Sequence, residues 1–172
     1  MKQTLFIIFI GLTSFVHAQS IDIGDIKING IIGYSLTLDK LRSSNLEIDS
    51  IKPIPELMDM SMADSLVYIG RTYFEYFANS NKCILSVIQF DCKISEVRIG
   101  SLTLSNLTTI ESIQDNFPED CQSTSSIEIY QDPKTYRTCG VPISANGQLT
   151  DSRLLFFFLE GKLTRIDIWE PS

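Results

Sequence analysis

Apolar and polar residues alternate in short runs along most of the chain, the period of two expected of half-buried strands, and Asn, Gly, Pro and Asp punctuate the runs. Ile26 and Ile28 flank Lys27 and lead into Asn29-Gly30, which predicts a strand entering a tight turn. Thr37 ahead of Leu38 and Leu41 predicts a short capped helix. Leu66 to Phe77 is aromatic and β-branched, Asn79-Ser80-Asn81 breaks the run, and Ile84 to Phe90 resumes it, so consecutive antiparallel strands are expected. Ile94, Val97 and Ile99 predict the next strand. Thr108-Thr109-Ile110-Glu111 has the form of a capping box, in which the threonine hydroxyl and the glutamate each satisfy a helix-start amide. The helix that follows shows Ile110, Ile113 and Phe117 on one face and is expected to stop at Pro118. Ile127 and Ile129 run into the turn Gln131-Asp132-Pro133-Lys134, with Tyr136 to Val141 returning as the partner strand. The clearest hairpin is Leu154 to Leu159, Glu160-Gly161, then Lys162 to Trp169.

Self-similarity turns these elements into an architecture. Ser-Leu-Thr-Leu occurs at Ser35 to Leu38 and at Ser101 to Leu104. Phe90-Asp91-Cys92-Lys93-Ile94-Ser95-Glu96-Val97-Arg98-Ile99 also matches Leu159-Glu160-Gly161-Lys162-Leu163-Thr164-Arg165-Ile166-Asp167-Ile168 in apolar, hydroxyl or charged class at every pair except Cys92 with Gly161. Amphipathic hairpins share such a pattern through physics alone. Both halves nevertheless read as a short helical segment followed by an antiparallel meander, so the expected fold class is α+β, with tandem modules at 25–99 and 100–170. A short helix opening each unit, then strands closing on Leu-Glu-Gly-Lys-Leu-Thr-Arg-Ile, resembles the small SmpA/OmlA-type modules and, through the doubling, β-lactamase-inhibitor-protein-like chains among secreted bacterial proteins. The resemblance implies envelope scaffolding or binding to another protein's surface, and no functional residue is carried over from it.

The N-terminus changes the usable sequence. Met1-Lys2, the apolar run Thr4 to Phe15, and Val16-His17-Ala18 with small residues at the −3 and −1 positions have the form of a secretory signal peptide, residues 1–18, cut before Gln19. Removing 18 of 172 residues leaves 154, takes one lysine, and moves the formal charge from −7 to −8. It also takes the single histidine, so the exported chain lacks the base of Ser-His-Asp and Cys-His catalysis and the usual zinc ligand. No Ser-x-x-Lys spacing or phosphate-cradling glycine loop replaces them, and no cysteine follows the apolar run as a lipid anchor would need. Glu119-Asp120, after Phe117-Pro118, is expected as a solvated loop pair rather than a catalytic one. Acidic charge without a basic stripe argues against nucleic acid as a partner. A non-enzymatic protein without a cofactor or a transmembrane segment, periplasmic or secreted, is the expectation.

Three sets of residues carry candidate chemistry. Cys83, Cys92, Cys121 and Cys139 are an even set in an oxidising compartment, so two disulfides are expected, with three connectivities open. If Ile84 to Phe90 is one strand, its ends lie about 30 Å apart at ~3.3 Å per residue, too far for Cys83 to reach Cys92. Cys121 with Cys139 is the easiest bridge to close. Met58, Met60 and Met62, on an extended segment, would aim three thioethers one way, which raises a small-ligand or Cu(I) carrier as the alternative function. In the last hairpin a two-residue turn puts Leu155, Phe157, Leu159, Thr164, Ile166 and Ile168 on the core side. It leaves Phe156, Phe158, Leu163, Arg165 and Trp169, with Leu154 and Asp167, on the face expected to bind a protein, and a one-residue slip would exchange the sets. The first consequence to test is processing: the exported protein is expected to have an intact mass matching a chain that starts at Gln19, and a mass retaining residues 1–18 would refute the leader.

Overall fold

A computed structural model describes residues 20–58 and 61–171, so the expected leader and its cleavage site lie outside the described residues. The first half contains β1 (Ile21–Asp22), β2 (Ile26–Ile28), β3 (Ile32–Gly33), β4 (Ser35–Thr37), α1 (Leu38–Arg42), β5 (Ser50–Pro53), β6 (Ser65–Ile69), β7 (Thr72–Phe77), β8 (Lys82–Gln89) and β9 (Val97–Ile99). The second contains β10 (Leu102–Leu104), α2 (Ile110–Asn116), α3 (Pro118–Cys121), β11 (Ser125–Glu128), β12 (Thr135–Ala145), β13 (Gln148–Leu159) and β14 (Lys162–Trp169). The fold is therefore mostly β, and α+β describes it only in the loose sense that three short helices accompany antiparallel sheets.

Turn chemistry sets the ladders. Glu160 and Gly161 at φ 51° and 76° close β13 onto β14, the left-handed pair that a two-residue hairpin requires. The expected single run Leu66 to Phe77 is split by Gly70 at φ 60° into the β6–β7 hairpin. A side chain at Gly70 would collide with the Asp91 carboxylate, which accepts hydrogen bonds from the amides of Arg71, Lys93 and Ile94. Thr109, not Thr108, caps α2 by accepting from the Ser112 amide at 3.2 Å. Thr108 instead accepts from the Ser105 amide. Phe117 ends α2, and Pro118 opens α3 rather than a loop, which puts Glu119 and Asp120 on a helical turn. Ile94 lies outside the strand begun at Val97, yet it is fully buried.

The large sheet runs β1-β12-β13-β14-β8-β7-β6-β5, with β11 added to β12 and β4 to β8; only β1 with β12 is parallel. Its two long meanders meet where β14 pairs with β8 through Arg165–Gln89, Ile166–Ile88 and Asp167–Val87. A small sheet, β10-β9-β2-β3, joins strands from either side of residue 100. Helices α1 and α2 are each stitched to the hairpin ahead of the last strand of the meander that follows: Leu38 N donates to Asn81 O at 3.3 Å and Ile110 N to Gly161 O at 3.2 Å. Thr37 correspondingly pairs with Lys82, and Thr109 with Lys162. The equivalence inferred from residues 90–99 and 159–168 therefore joined unlike elements. The first lies in a loop and a small-sheet strand, whereas the second runs through the β13–β14 hairpin of the large sheet.

One hydrophobic cluster lies between the large sheet, the small sheet and the helices. It takes Ile26, Ile28, Val97 and Ile99 from the small sheet, Leu38 and Leu41 from α1, and Ile110 and Ile113 from α2, with Phe117 stacked 6.1 Å from Phe156. In β13 the core side chains are Leu154, Phe156 and Phe158, the reverse of the expected set. The reason is a bulge: Leu159–Lys162 and Phe158–Leu163 pair as expected, Thr164 is unpaired, and Phe157 meets Arg165 while Phe156 meets Ile166. Phe156→Ala is expected to cost about 3–5 kcal/mol in urea unfolding. The same truncation at exposed Leu149 should stay within about 0.5 kcal/mol.

Candidate functional site on the helix-free face

Beyond the bulges, the face of the large sheet turned away from the helices presents Tyr136 and Thr138 from β12, Leu155 and Phe157 from β13, and Arg165, Asp167 and Trp169 from β14. Val87 and Gln89 from β8 and Tyr73 from β7 continue it through the β8–β14 seam. Leu66, Val87, Tyr136 and Phe157 are buried yet stand outside the main hydrophobic cluster, so this face has an apolar floor of its own. Tyr136 meets the Phe157 ring edge-on at 6.2 Å, and the Arg165 guanidinium lies 5.5 Å from the ring centre. Farther along, Tyr68 lies 5.5 Å from Tyr73, with the Lys52 ammonium 4.9 Å over Tyr68.

Arg165 and Asp167 stand two residues apart on β14, so the pleat carries both to one face. The guanidinium donates from Nε to Oδ1 at 2.5 Å and from Nη2 to Oδ2 at 2.8 Å, a two-pronged pair with about a fifth or less of either side chain exposed. Burial pushes the Asp167 carboxyl above its ordinary range although Arg165 opposes the shift. Tyr136 donates to Asp132 at 2.7 Å, which holds Asp132 below the usual carboxylate range.

Two hollows flank this floor. A cleft of about 260 Å³ is lined in part by Arg71, Gln89, Asn106, Lys134 and Arg165. A groove of about 720 Å³ is lined in part by Tyr34, Glu75, Phe77, Trp169 and Glu170. Three cationic side chains thus border the first together with the Asp132 carboxylate, and, among the described residues, carboxylates without a lysine or arginine border the second.

Of the residues singled out in sequence, Arg165 and Trp169 reach this face, and Trp169 is 47% exposed. Phe156, Phe158 and Leu163 do not: the Thr164 bulge turns them into the core, where they are at most 1% exposed. The break was written in the spacing of Leu163, Ile166 and Ile168, which abandons strict alternation after Leu163. Met58 ends a short 3-10 turn rather than an extended segment; it and the exposed Met62 line the larger groove, while Met60 lies outside the described residues. Cys121 and Cys139 form a disulfide with Cα atoms 5.2 Å apart, tying α3 to β12. Cys83 and Cys92 are both free: β8 is one strand that carries Cys83 into the core and leaves Cys92 exposed on the loop beyond its end. Asp120 is engaged by Arg153 at 3.1 Å.

Among the described residues no cluster of three or more His, Cys, Asp or Glu is placed to hold a metal ion, and no helix is long and apolar enough to cross a membrane. Comparison with protein-family models, curated proteins and solved structures returned no match.

Replacing Arg165 with methionine would leave Asp167 with neither water nor a counter-charge. The expected loss at pH 7 is about 2–4 kcal/mol in urea unfolding. Asp167 titrates higher folded than unfolded, and higher still without Arg165, so the folded variant takes up the extra proton as pH falls. The deficit should therefore shrink between pH 7 and pH 5; a loss independent of pH would refute the unpaired carboxylate as its cause.

Proposed function

We propose that this is an exported, periplasmic or secreted protein without catalytic activity that binds the surface of another envelope or extracellular protein in an inhibitor-like manner. The observation that carries the reading is the face opposite the main cluster: a second apolar floor, aromatic rings and a desolvated Arg165–Asp167 pair, bordered by the half-exposed Trp169. Interface centres combine aromatic residues and arginine in this way, with polar groups at the rim. The hollows at its two ends differ in charge, so the partner that fits presents acidic groups toward Arg71 and Lys134 and basic groups toward Glu75 and Glu170.

The face is assembled from two tandem modules in this reading, each a capped helix followed by four antiparallel strands, with the paired stitches Leu38–Asn81 and Ile110–Gly161 as their common feature. The Cys121–Cys139 bridge supports export, since disulfides persist in oxidising compartments. It would contribute about 3 kcal/mol by restricting the unfolded chain. A second reading, a small-ligand or Cu(I) carrier, is favoured by Met58 and Met62 lining the groove that also holds Trp169.

Binding is tested by pull-down from the exported fraction with mass spectrometry, using wild type, Trp169→Ala, Thr138→Trp and a control, Leu107→Ala, at an exposed site outside this face. Trp169→Ala and Thr138→Trp should each reduce capture of a specific partner at least tenfold at unchanged melting temperature, while the control retains it. Equal capture by all four proteins would exclude this face as the docking site.

A further inference from the structure

The larger groove carries a feature that docking alone does not require. Glu75 and Phe77 stand on the helix-free side of β7, Trp169 and Glu170 close the end of β14, and Tyr34 lies where its carbonyl accepts from the Leu85 amide on β8. No lysine or arginine lines the groove among the described residues. Arg153, opposite Trp169 in the ladder, is already held by Asp120 and the Gly140 carbonyl. Ser61 donates to Glu75 at 2.9 Å and fixes that carboxylate in place. The Tyr34 phenol is pushed up to about 12, first by burial and then by the negative charges of Glu170 and Glu75, so both carboxylates project their field into the space that Tyr34 borders.

Aromatic faces with carboxylates and no competing cation make the environment in which an alkylammonium is held by cation–π and ionic attraction together. The apolar lining from Met58, Ile84 and Ile168 suits the methylene stem of such a group. We propose that this groove is the receptor for a lysine side chain presented by the docking partner, its stem lying along the apolar lining and its ammonium between Glu75, Glu170 and the Trp169 face. The assignment rests on the docking reading but names the chemistry at one end of it.

Trp169 is the only tryptophan of the chain, so its emission reads this site alone. The purified protein is titrated with a capped lysine-containing hexapeptide, with the norleucine version that keeps the stem and lacks the ammonium, and with spermidine as a free amine. The lysine peptide should shift the emission saturably. Binding should be at least tenfold weaker for the norleucine peptide, for spermidine, and for lysine peptide added to the double variant Glu75→Gln, Glu170→Gln. A control variant, Glu128→Gln, should bind as wild type, and the double variant should keep its circular dichroism spectrum and melting temperature. Equal binding of norleucine would make the groove merely apolar and overturn the proposal. Equal or tighter binding of spermidine would assign it to a free amine instead. A response to Cu(I) with none to the lysine peptide would assign it to the carrier reading. Should Thr138→Trp abolish partner capture while the double variant leaves it intact, the groove assignment fails and the docking reading stands; lysine binding in the absence of any Thr138→Trp effect reverses that outcome.

Discussion

Three residue pairs hold the large sheet together. Where β8 meets β14, Ile88 faces Ile166 in the core, while Val87–Asp167 and Gln89–Arg165 face the other way. That arrangement depends on two displaced residues, Ser86, unpaired in the β7–β8 ladder, and Thr164, unpaired in the β13–β14 ladder. An unbroken β14 would carry Arg165 and Asp167 to the same side as Leu163, into a cluster of Phe156, Phe158 and Ile113. Burying two charges there costs several kcal/mol per ion. The bulge forfeits local pairing worth about 1 kcal/mol, and Thr164 recovers part of it by donating to the Phe157 carbonyl at 3.2 Å. The comparison decides the register: the irregular strand is the stable one, and it delivers both charges to the face away from the main cluster, where they pair with each other.

The same comparison explains which features were legible in the sequence. The Thr37 cap and the Pro133 and Glu160-Gly161 turns are local, each set by a residue type and a short spacing, and they stand where the pattern put them; Cys121–Cys139, the easiest of the open pairings, forms, whereas the second expected disulfide does not. The facing of the last hairpin was not local. It turned on a single extra residue whose cost is repaid across the sheet, and strict alternation read from the turn gave the wrong set. Leu163-x-x-Ile166 and Leu85-x-x-Ile88 carry the signal, since both step by three where a strand steps by two. Gly70 was hidden differently: Tyr68 to Phe77 has strand composition on both sides of it, and the carboxylates that fix the turn, Asp49 and Asp91, lie about twenty residues away in sequence. Of the candidate site, Arg165 and Trp169 were visible because they follow the bulge, whereas Phe156 and Phe158 precede it and were misassigned.

The proposed pairing of modules also accounts for the unlike hollows. Tyr34 stands three residues before the capping Thr37, and Asn106 three before the capping Thr109; Tyr34 lines the acidic groove and Asn106 the basic cleft. Phe77 and Leu159, each at the end of the third strand of its meander, occupy the two hollows in the same way, as do the displaced residues Ser86 and Thr164. In that proposed pairing, corresponding positions line the clefts at the two ends of the seam, and both halves supply the charges of each: Glu75 and Glu170 at one end, Arg71, Lys134 and Arg165 with Asp132 at the other. Two identical clefts would present a partner with two equivalent orientations related by half a turn. For a docked partner the difference in charge would remove that degeneracy, because the reversed orientation would set like charges against each other, and like-charge contacts across an interface cost several kcal/mol. In the proposed docking, the unequal charge of the two hollows would thus give this face a direction as well as an area.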